Sequence, residues 1–385
     1  MIRVSALILA AFLTTACSLF GDKEEPIEPP AELVAFEATV KVDRLWNVRF
    51  GKGAEGLLQG LTPATEGGRV YAGTHNGRAI SLDVETGKPV WAVSTKLEFS
   101  AGPGVGEGLV VFGTSEGEVL ALDIANGQER WRTSVSGEVL ASPVVGQNTV
   151  IVRSVDGHLR ALSAYDGGEL WDVEQQVPRL TLRGNGTPAI VEDIVVAGFD
   201  NGRLVAYDLN DGDTRWENVV APSRGRTELE RLADVDSSIH VVGPDLYTAS
   251  YSGRVASLAI ESGRILWSQD VSSYKAIGAD WTNIYITDKN GEVVAVNRSS
   301  GAIQWSQPSM RMRSLTPPIP FAATIVVGDF EGYLHWLDAR SGQLVARSQA
   351  GKSAIVGTPV VAGDAIIVQT DKGHLVAYRL KEPAT

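Results

Sequence analysis

The chain has 385 residues, 44% of them hydrophobic, and a formal net charge of -12, a composition typical of a soluble globular protein. The excess of acidic side chains argues against sequence-independent nucleic-acid binding and against electrostatic docking on anionic lipid, because both need clustered Lys and Arg. After the first 16 residues no apolar run approaches the ~18 to 20 residues that span a bilayer. The composition therefore favours protein partners.

The N-terminus has the order of an export signal: a short basic region at residues 1–3, an apolar region at 4–13 and small residues at 14–16. Cys17 follows and is the only cysteine, so no intramolecular disulfide can form. This arrangement resembles the lipobox of bacterial lipoproteins. The resemblance implies that 1–16 is a signal peptide and that Cys17 becomes the acylated first residue of the mature chain.

Two residues around the cysteine refine that expectation. Thr14 stands where the lipoprotein pattern prefers leucine, and cleavage after Ala16 without acylation, leaving a free thiol, is the alternative. Ser18 follows the cysteine where aspartate would signal retention in the inner membrane, so the resemblance implies an outer-membrane protein. Residues 17–40 begin as a polar, proline-containing stretch with little apolar surface to bury, which predicts a flexible tether.

The rest of the chain repeats one unit of roughly 40 residues, and each copy has a glycine turn between two alternating strands. The leading glycines are Gly77, Gly117, Gly157, Gly202, Gly253, Gly291, Gly332 and Gly373. Glycine adopts positive φ without steric cost, so these residues are explained by turn geometry rather than by ligand contact. No copy has helical periodicity.

Three further registers recur around several of these glycines, and we interpret them as structural. Aspartates that can close the next turn are Asp83, Asp123, Asp208 and Asp338. Tryptophans that can wedge between neighbouring sheets are Trp91, Trp131, Trp171, Trp216, Trp267 and Trp305. Prolines suited to the start of an innermost edge strand are Pro63, Pro103, Pro143, Pro188, Pro317 and Pro359.

These registers predict an all-β fold over residues 41–382: an eight-bladed β-propeller of four-stranded antiparallel blades. The last copy stops at Leu380 without a tryptophan, whereas the chain begins with an unpaired strand around Trp46. We therefore expect the N-terminal strand to join the C-terminal blade and close the ring, which removes the open sheet edges that invite aggregation.

Function is expected where the spacing departs from the repeat. The usual gap from tryptophan to the next proline register is 12 or 13 residues, but it is 17 from Trp46 to Pro63 and from Trp171 to Pro188, and 23 from Trp216 to Ile239; the last two of these gaps are consecutive. Both gaps connect the last strand of one blade to the first strand of the next, on the face that also carries the glycine turns. Two consecutive long loops on one face predict a protein-docking patch.

The candidate contact residues on these loops are Leu180, Leu182, Arg183, Asp234 and Asp236. Exposed apolar anchors beside an arginine and carboxylates are typical of protein interfaces. The alternative is that the leucines simply begin a strand and that the aspartates are solvated loop charges.

Catalytic chemistry finds little support. The five histidines are scattered among the blades, and His158 and His374 occupy the same repeat register, so a shared metal site is not expected. No nucleophile elbow, phosphate loop or cysteine-based metal spacing is present. We therefore predict neither catalysis nor a bound cofactor or metal.

The repeat itself resembles that of the quinoprotein alcohol dehydrogenases, which are eight-bladed and bind pyrroloquinoline quinone with calcium. Those enzymes cover the cofactor with a disulfide of adjacent cysteines in a much longer chain, and this sequence has one cysteine. A dehydrogenase-like propeller is the first alternative function, and a glycan-binding envelope propeller is the second.

The lipoprotein signal, the tether, the eight repeats, LTLRG at 180–184 and LADVD at 232–236 together resemble the BamB family of outer-membrane lipoproteins. The resemblance covers essentially the whole chain. It implies a non-catalytic scaffold on the periplasmic face of the outer membrane that binds the POTRA domains of BamA through Leu180, Leu182, Arg183, Asp234 and Asp236. It also implies that the chain assists the delivery and insertion of β-barrel proteins.

Overall fold

The computed structural model contains only β-strands and loops over the residues it describes, which are 28–54, 60–181, 186–222, 227, 234–235, 237–251, 253–273 and 275–381. None of the described residues form a helix that could span a bilayer. The strands form eight sheets of four strands each. The predicted eight-bladed propeller is confirmed.

The blades follow one another around the ring in chain order. The first strand is β1 (Val42–Arg49). Blade one contains β2 (Ala64–Glu66), β3 (Arg69–Gly73), β4 (Arg78–Asp83) and β5 (Pro89–Ser94). Blade two contains β6 (Gly104–Gly106), β7 (Leu109–Gly113), β8 (Glu118–Asp123) and β9 (Glu129–Ser134). Blade three contains β10 (Val144–Gly146), β11 (Thr149–Arg153), β12 (His158–Ser163) and β13 (Glu169–Glu174). Blade four contains β14 (Ala189–Val191), β15 (Ile194–Gly198), β16 (Arg203–Asp208) and β17 (Thr214–Val219).

The second half of the ring follows the same plan. Blade five contains β18 (His240–Val242), β19 (Asp245–Ala249), β20 (Arg254–Ala259) and β21 (Ile265–Asp270). Blade six contains β22 (Gly278–Ala279), β23 (Asn283–Thr287), β24 (Val293–Asn297) and β25 (Ile303–Gln307). Blade seven contains β26 (Ile319–Phe321), β27 (Thr324–Gly328), β28 (Tyr333–Asp338) and β29 (Leu344–Gln349). Blade eight contains β30 (Ile355–Ala362), β31 (Ala365–Thr370) and β32 (His374–Leu380).

Blade eight is completed from the other end of the chain. Its strand order is β30-β31-β32-β1, and β1 pairs antiparallel with β32 so that Trp46 lies opposite Ala377. The predicted closure of the ring by the N-terminal strand is therefore confirmed. Within each blade we call the strands A to D from the axis outward, so β1 is strand D of blade eight.

The first strands of neighbouring blades contact one another and therefore surround the axis. Glycine permits this close approach: a Cβ on Gly104 of β6 would lie 2.0 Å from the carbonyl oxygen of Pro143, in the next blade. Pro143 immediately precedes β10, as the proline register predicts. Pro359 instead lies inside β30, at an irregularity in the pairing between Val356 and Val360. Proline has no N–H to donate, but at this irregularity of an inner edge strand no hydrogen bond to the neighbouring strand is lost.

Turn chemistry explains the recurring glycines and aspartates. Gly77, between β3 and β4, has φ +76°, a left-handed conformation that side chains disfavour. The Asp83 carboxylate accepts hydrogen bonds from the Thr86 amide and hydroxyl at 2.9 and 2.6 Å, which closes the turn before β5. These hydrogen bonds hold the pKa of Asp83 below its ordinary value. The structural interpretation of the aspartate register is confirmed.

The strand-D tryptophans join seven of the eight blades to the next. Trp91 donates from its indole nitrogen to the Ile124 carbonyl of blade two at 3.0 Å, and its ring lies against Gly127, where a Cβ would be 2.7 Å from the ring. The same indole-to-carbonyl bond is made by Trp46, Trp131, Trp171, Trp216, Trp267 and Trp305. The predicted wedge is confirmed. Glycines in the strand C–D turns, such as Gly127, leave room for the indole ring.

Each wedge also depends on a small residue on strand C, directly opposite the tryptophan in the strand pairing. Residues opposite a strand-D tryptophan are alanine or serine: Ala377, Ser81, Ala121, Ala161, Ala206, Ser257 and Ala295. Blade seven exchanges the two sizes, because Trp336 on strand C lies opposite Ala346 on strand D. Trp336 is fully buried and packs edge-on against Phe321 at a centroid distance of 5.9 Å. The Trp336–Ala346 pair fills the same volume, but no indole of blade seven donates a hydrogen bond to the next blade.

Residues 28–40, the later part of the predicted tether, lie against blade seven. Arg313 donates to the Ala31 carbonyl at 2.9 Å, and Arg347 donates to the Val34 carbonyl at 3.2 Å while its guanidinium lies 5.0 Å from the centre of the Phe36 ring. Further along, the Thr39 and Val40 amides donate to Val345 of β29. We call residues 28–40 the strap. Val40 also packs into the core shared by blades seven and eight, where the tryptophan wedge is missing.

Replacing Trp91 with alanine should lower the free energy of unfolding by about 3 to 5 kcal/mol, because it empties the volume between blades one and two and leaves the Ile124 carbonyl without its donor. Denaturant unfolding of the purified protein measures the change. Trp281→Ala is the matched control, since Trp281 is 78% exposed and should cost less than about 1 kcal/mol. Equal losses in the two variants would contradict the wedge.

Candidate functional site

The connections between blades and the strand B–C turns share one face of the ring, which we call the loop face. The Val135 amide, just after β9, donates to the carbonyl of Gly117 in the turn between β7 and β8 at 2.7 Å. Gln175 after β13 makes the same bond to Gly157 at 3.0 Å. The predicted sharing of a face is therefore confirmed.

The first long loop connects β13 to β14. Leu180, near its middle, is 43% exposed, which is high for a leucine and is consistent with the predicted apolar anchor. Leu182 and Arg183 lie outside the described residues. The start of the loop is held by Gln175, which donates to the Tyr207 hydroxyl at 3.1 Å and accepts from the Asn201 amide at 3.3 Å.

The second long loop connects β17 to β18, and its described part is buried. Asp234 and Val235 have no exposed surface. The Asp234 carbonyl accepts from the Tyr251 amide at 3.2 Å, and the Val235 amide donates to the Phe199 carbonyl at 3.2 Å. Asp236 lies outside the described residues. The Asp234 side chain is therefore buried in this structure, rather than the solvated loop charge that was the alternative from the sequence.

The two long loops meet where they enter their next blades. The Thr187 amide, at the end of the first loop, donates to the Ser238 hydroxyl at 3.3 Å. The Thr187 carbonyl in turn accepts from the Ile239 amide at 3.2 Å. Both loops are thus parts of one surface centred on blade four.

A four-residue turn, 199–202, lies under this surface and contacts both loops. Phe199 accepts from the second loop, and Asn201 donates to the first. The Gly202 carbonyl accepts from Val220 and from Ala221, the residues with which the second loop begins, at 3.0 and 3.1 Å. We call residues 199–202 the hub turn. It is the B–C turn of blade four, and its role was not predicted from the sequence.

The hub turn is in turn held from blade three by a buried ion pair. Arg153, the last residue of β11, donates to the Asp200 carboxylate, and its guanidinium carbon lies 5.8 Å from the centre of the Phe199 ring. The side chains of Arg153 and Asp200 are 5% and 6% exposed. A comparison of equivalent positions among the repeats would have found Arg153, since its position is occupied in the other blades by uncharged, mostly small residues; Asp200 would not have stood out, because blade eight has Asp371 at the equivalent position.

Further titratable groups lie in other parts of the ring. No cluster of three or more potential metal ligands occurs among the residues that the structure describes. Burial lowers the pKa of His240 and, in another blade, that of His335. Burial also lowers the pKa of Lys275 to about 8; its ammonium group donates to the Leu315 carbonyl and so joins two neighbouring blade connections.

A family model described as outer membrane protein assembly factor BamB matches residues 31–99, 82–307 and 310–382. A protein of that name from Pseudomonas aeruginosa is 44% identical, over 98% of this chain and 98% of the relative. Its namesake in Alkalilimnicola ehrlichii is 46% identical over 99% and 97% of the two chains. The one in Escherichia coli is 32% identical over 95% and 96%.

Solved structures with the same ring include the crystal structure of BamB from Moraxella catarrhalis, which has a TM-score of 0.80, 27% identity and coverage of 88% of this chain and 100% of the other. The quinohemoprotein alcohol dehydrogenase of Comamonas testosteroni has a TM-score of 0.68 at 13% identity, covering 89% of this chain and 78% of the enzyme. At that identity the likeness to the dehydrogenase concerns the fold alone.

The burial of Asp234 leads to a prediction about stability. Asp234→Ala should lower the free energy of unfolding by about 1 to 3 kcal/mol, because the buried polar groups around this carboxylate would lose its interactions. Leu180→Ala, on the same surface but exposed, should change it by no more than about 0.5 kcal/mol. Denaturant unfolding separates the two. A neutral Asp234→Ala would mean that this carboxylate faces solvent.

Proposed function

The chain belongs to the family of the outer membrane protein assembly factor BamB, and on that basis we propose that its loop face binds the POTRA domains of BamA. Family membership makes the chain a component of the outer-membrane protein assembly machinery, associated with the outer membrane. Its contribution is that of a non-catalytic scaffold. The contact residues and the lipid anchor are parts of the proposal.

The observation that carries the docking proposal is the convergence of the two long loops over the hub turn. Thr187 joins them directly by hydrogen bonds to Ser238 and Ile239, so both loops can contact one partner at the same time. Leu180 offers an exposed apolar side chain on this surface. A central apolar anchor surrounded by polar groups is the usual arrangement of the energetically dominant part of an interface.

We assign direct contact to Leu180, Leu182, Arg183 and Asp236. Arg183 would pair with acidic groups of the partner, for which a guanidinium offers a bidentate geometry. Asp234 takes part differently: since its side chain is buried, it supports the second loop from within rather than touching the partner in this conformation.

We further propose that Cys17 is acylated and anchors the ring to the periplasmic side of the outer membrane. Several acyl chains on one residue give stable anchoring, whereas a single chain is marginal. Residues 17–27, between the anchor and the strap, span at most ~3.3 to 3.6 Å each when fully extended, so the ring would remain within about 40 Å of the bilayer.

The dehydrogenase alternative has no specific observation in its favour. Its fold is shared, but the described histidines and carboxylates do not gather into a ligand set for calcium or another metal. The glycan-binding alternative likewise has no identified site. The scaffold is therefore the function that the geometry supports best.

Leu182→Ala, Arg183→Ala and Asp236→Ala should each weaken binding to the purified POTRA region of BamA about tenfold, because truncating a dominant contact costs roughly 1 to 2 kcal/mol. Isothermal calorimetry measures the dissociation constants. Leu170→Ala is the control, since Leu170 is 52% exposed on the outer strand of blade three, away from the loops, and should bind as wild type. Wild-type affinity in all three loop variants would reject the assigned contacts.

Cys17→Ser should weaken the association of the protein with the outer membrane, leaving only its contact with BamA, because the acyl chains would no longer be attached. Mass spectrometry of the mature N-terminus should find lipid on Cys17 of the wild type only. The unaltered ring of the variant should retain its affinity for POTRA domains in solution, which separates anchoring from docking. An unmodified Cys17 in the wild type would exclude the anchor.

A further inference from the structure

One position of the repeat stands out at the end of strand B. The residue four places before the turn glycine is uncharged in seven blades: Gly73, Gly113, Gly198, Ala249, Thr287, Gly328 and Gln369. In blade three it is Arg153. The small residues are explained by packing, since a Cβ on Gly113 would lie 2.3 Å from the Val139 side chain of the following blade connection. Arg153 therefore departs from the repeat in both size and charge.

The next position departs in blade four. Seven blades have Ser, Thr or Asp three places before the turn glycine, and the side chain caps the turn in several of them: Thr114 accepts from the Glu118 amide at 2.8 Å, and Asp329 from the Tyr333 amide at 2.9 Å. Blade four has Phe199 instead, which has no side-chain acceptor. The equivalent amide in blade four, that of Arg203, is capped instead by the Asn201 side chain at 3.2 Å, so the hub turn has a different cap from those turns.

The two departures meet. The Arg153 guanidinium covers the Phe199 ring and hydrogen-bonds Asp200, the next residue of the same turn. An ion pair from the neighbouring blade thus holds a turn in which Phe199 replaces the usual capping residue. Because Arg153 and Asp200 are almost fully buried, removing either one would leave the other charge uncompensated.

The pair has no substitute within the described part of the chain. The Nε and Nη1 atoms of Arg153 are buried without hydrogen-bond partners there, so the bond through Nη2 to Asp200 is the one that compensates the guanidinium charge. If that bond is lost, we expect the guanidinium to move toward water and the hub turn to shift.

We propose that Arg153 and Asp200 are positioning residues for the docking surface: they hold the hub turn in the conformation that aligns both long loops. The hub turn contacts both loops directly: the Phe199 carbonyl accepts from the Val235 amide of the second loop, and the Asn201 side chain donates to Gln175 of the first. Neither member of the pair is expected to touch the partner. This inference rests on the proposed function, because it deepens the same site.

Blade seven provides a matched control. Arg313 and Asp329 form a second buried ion pair at a B–C turn, with side chains 4% and 0% exposed and a separation of 2.8 Å. That turn lies beneath neither long loop. Arg313→Gln should therefore destabilise the ring for the same physical reason as Arg153→Gln while leaving the docking surface in place.

The test compares Arg153→Gln, Asp200→Asn and Arg313→Gln by thermal unfolding, by calorimetric affinity for the purified POTRA region of BamA and by amide hydrogen exchange. All three should lower the melting temperature. Only the first two should weaken binding, about tenfold or more, and lose exchange protection at residues 235 and 239. The double variant should bind no more weakly than either single variant, because both remove one interaction.

If Arg153→Gln and Asp200→Asn bind as tightly as Arg313→Gln and keep the protection at 235 and 239, the positioning role is wrong. Should Arg153→Gln fail to fold, Arg153→Lys and Asp200→Asn decide the question, since they change the pair with little change of volume. Failure of the wild type to bind the POTRA region would refute the proposed function, and the exchange comparison would still decide whether the pair holds the loops.

Discussion

The ring depends on one recurrent contact, the strand-D tryptophan that bridges to the next blade. Trp91 illustrates its three requirements: a small residue opposite it, Ser81; a glycine beneath its ring, Gly127; and a carbonyl for its indole N–H, that of Ile124. Apolar burial and a satisfied hydrogen bond are thereby combined in one side chain. Because the contact always joins a blade to its successor, its repetition leads to a closed ring with no large open sheet edge.

The seam between blades seven and eight shows what happens where this contact is absent. Trp336 and Ala346 exchange strands, so the cross-strand volume is kept but no indole reaches blade eight. The strap helps to hold blades seven and eight together, since Val40 packs into their shared core and Thr39 is hydrogen-bonded to β29. The same chain end then enters β1 and completes blade eight. Stability at this seam and the point where the N-terminus leaves the ring are therefore linked.

How much of this the sequence reveals depends on whether a feature repeats. The eight turns, the tryptophan wedge and the closing strand follow from periodicity, because each has many copies that constrain one another. Leu180 was expected to be exposed and is. Asp234 illustrates the limit of prediction from sequence. The length of its loop shows that the segment is additional to the repeat, but whether the carboxylate is buried depends on tertiary contacts such as the hydrogen bond between the Asp234 backbone and Tyr251. The strap was also not foreseen, since its composition has no strand pattern and its partners lie far along the chain. Arg153 was detectable in principle, as a residue that breaks its own register.

The central claim is that the partner binds over blade four on the loop face. Photo-crosslinking in intact cells tests it directly, with the crosslinker placed either at Leu180 or at Tyr165, which is 86% exposed in a strand C–D turn on the opposite face. The account predicts a covalent adduct with BamA from position 180 and none from position 165. An adduct from position 165 together with none from position 180 would contradict it.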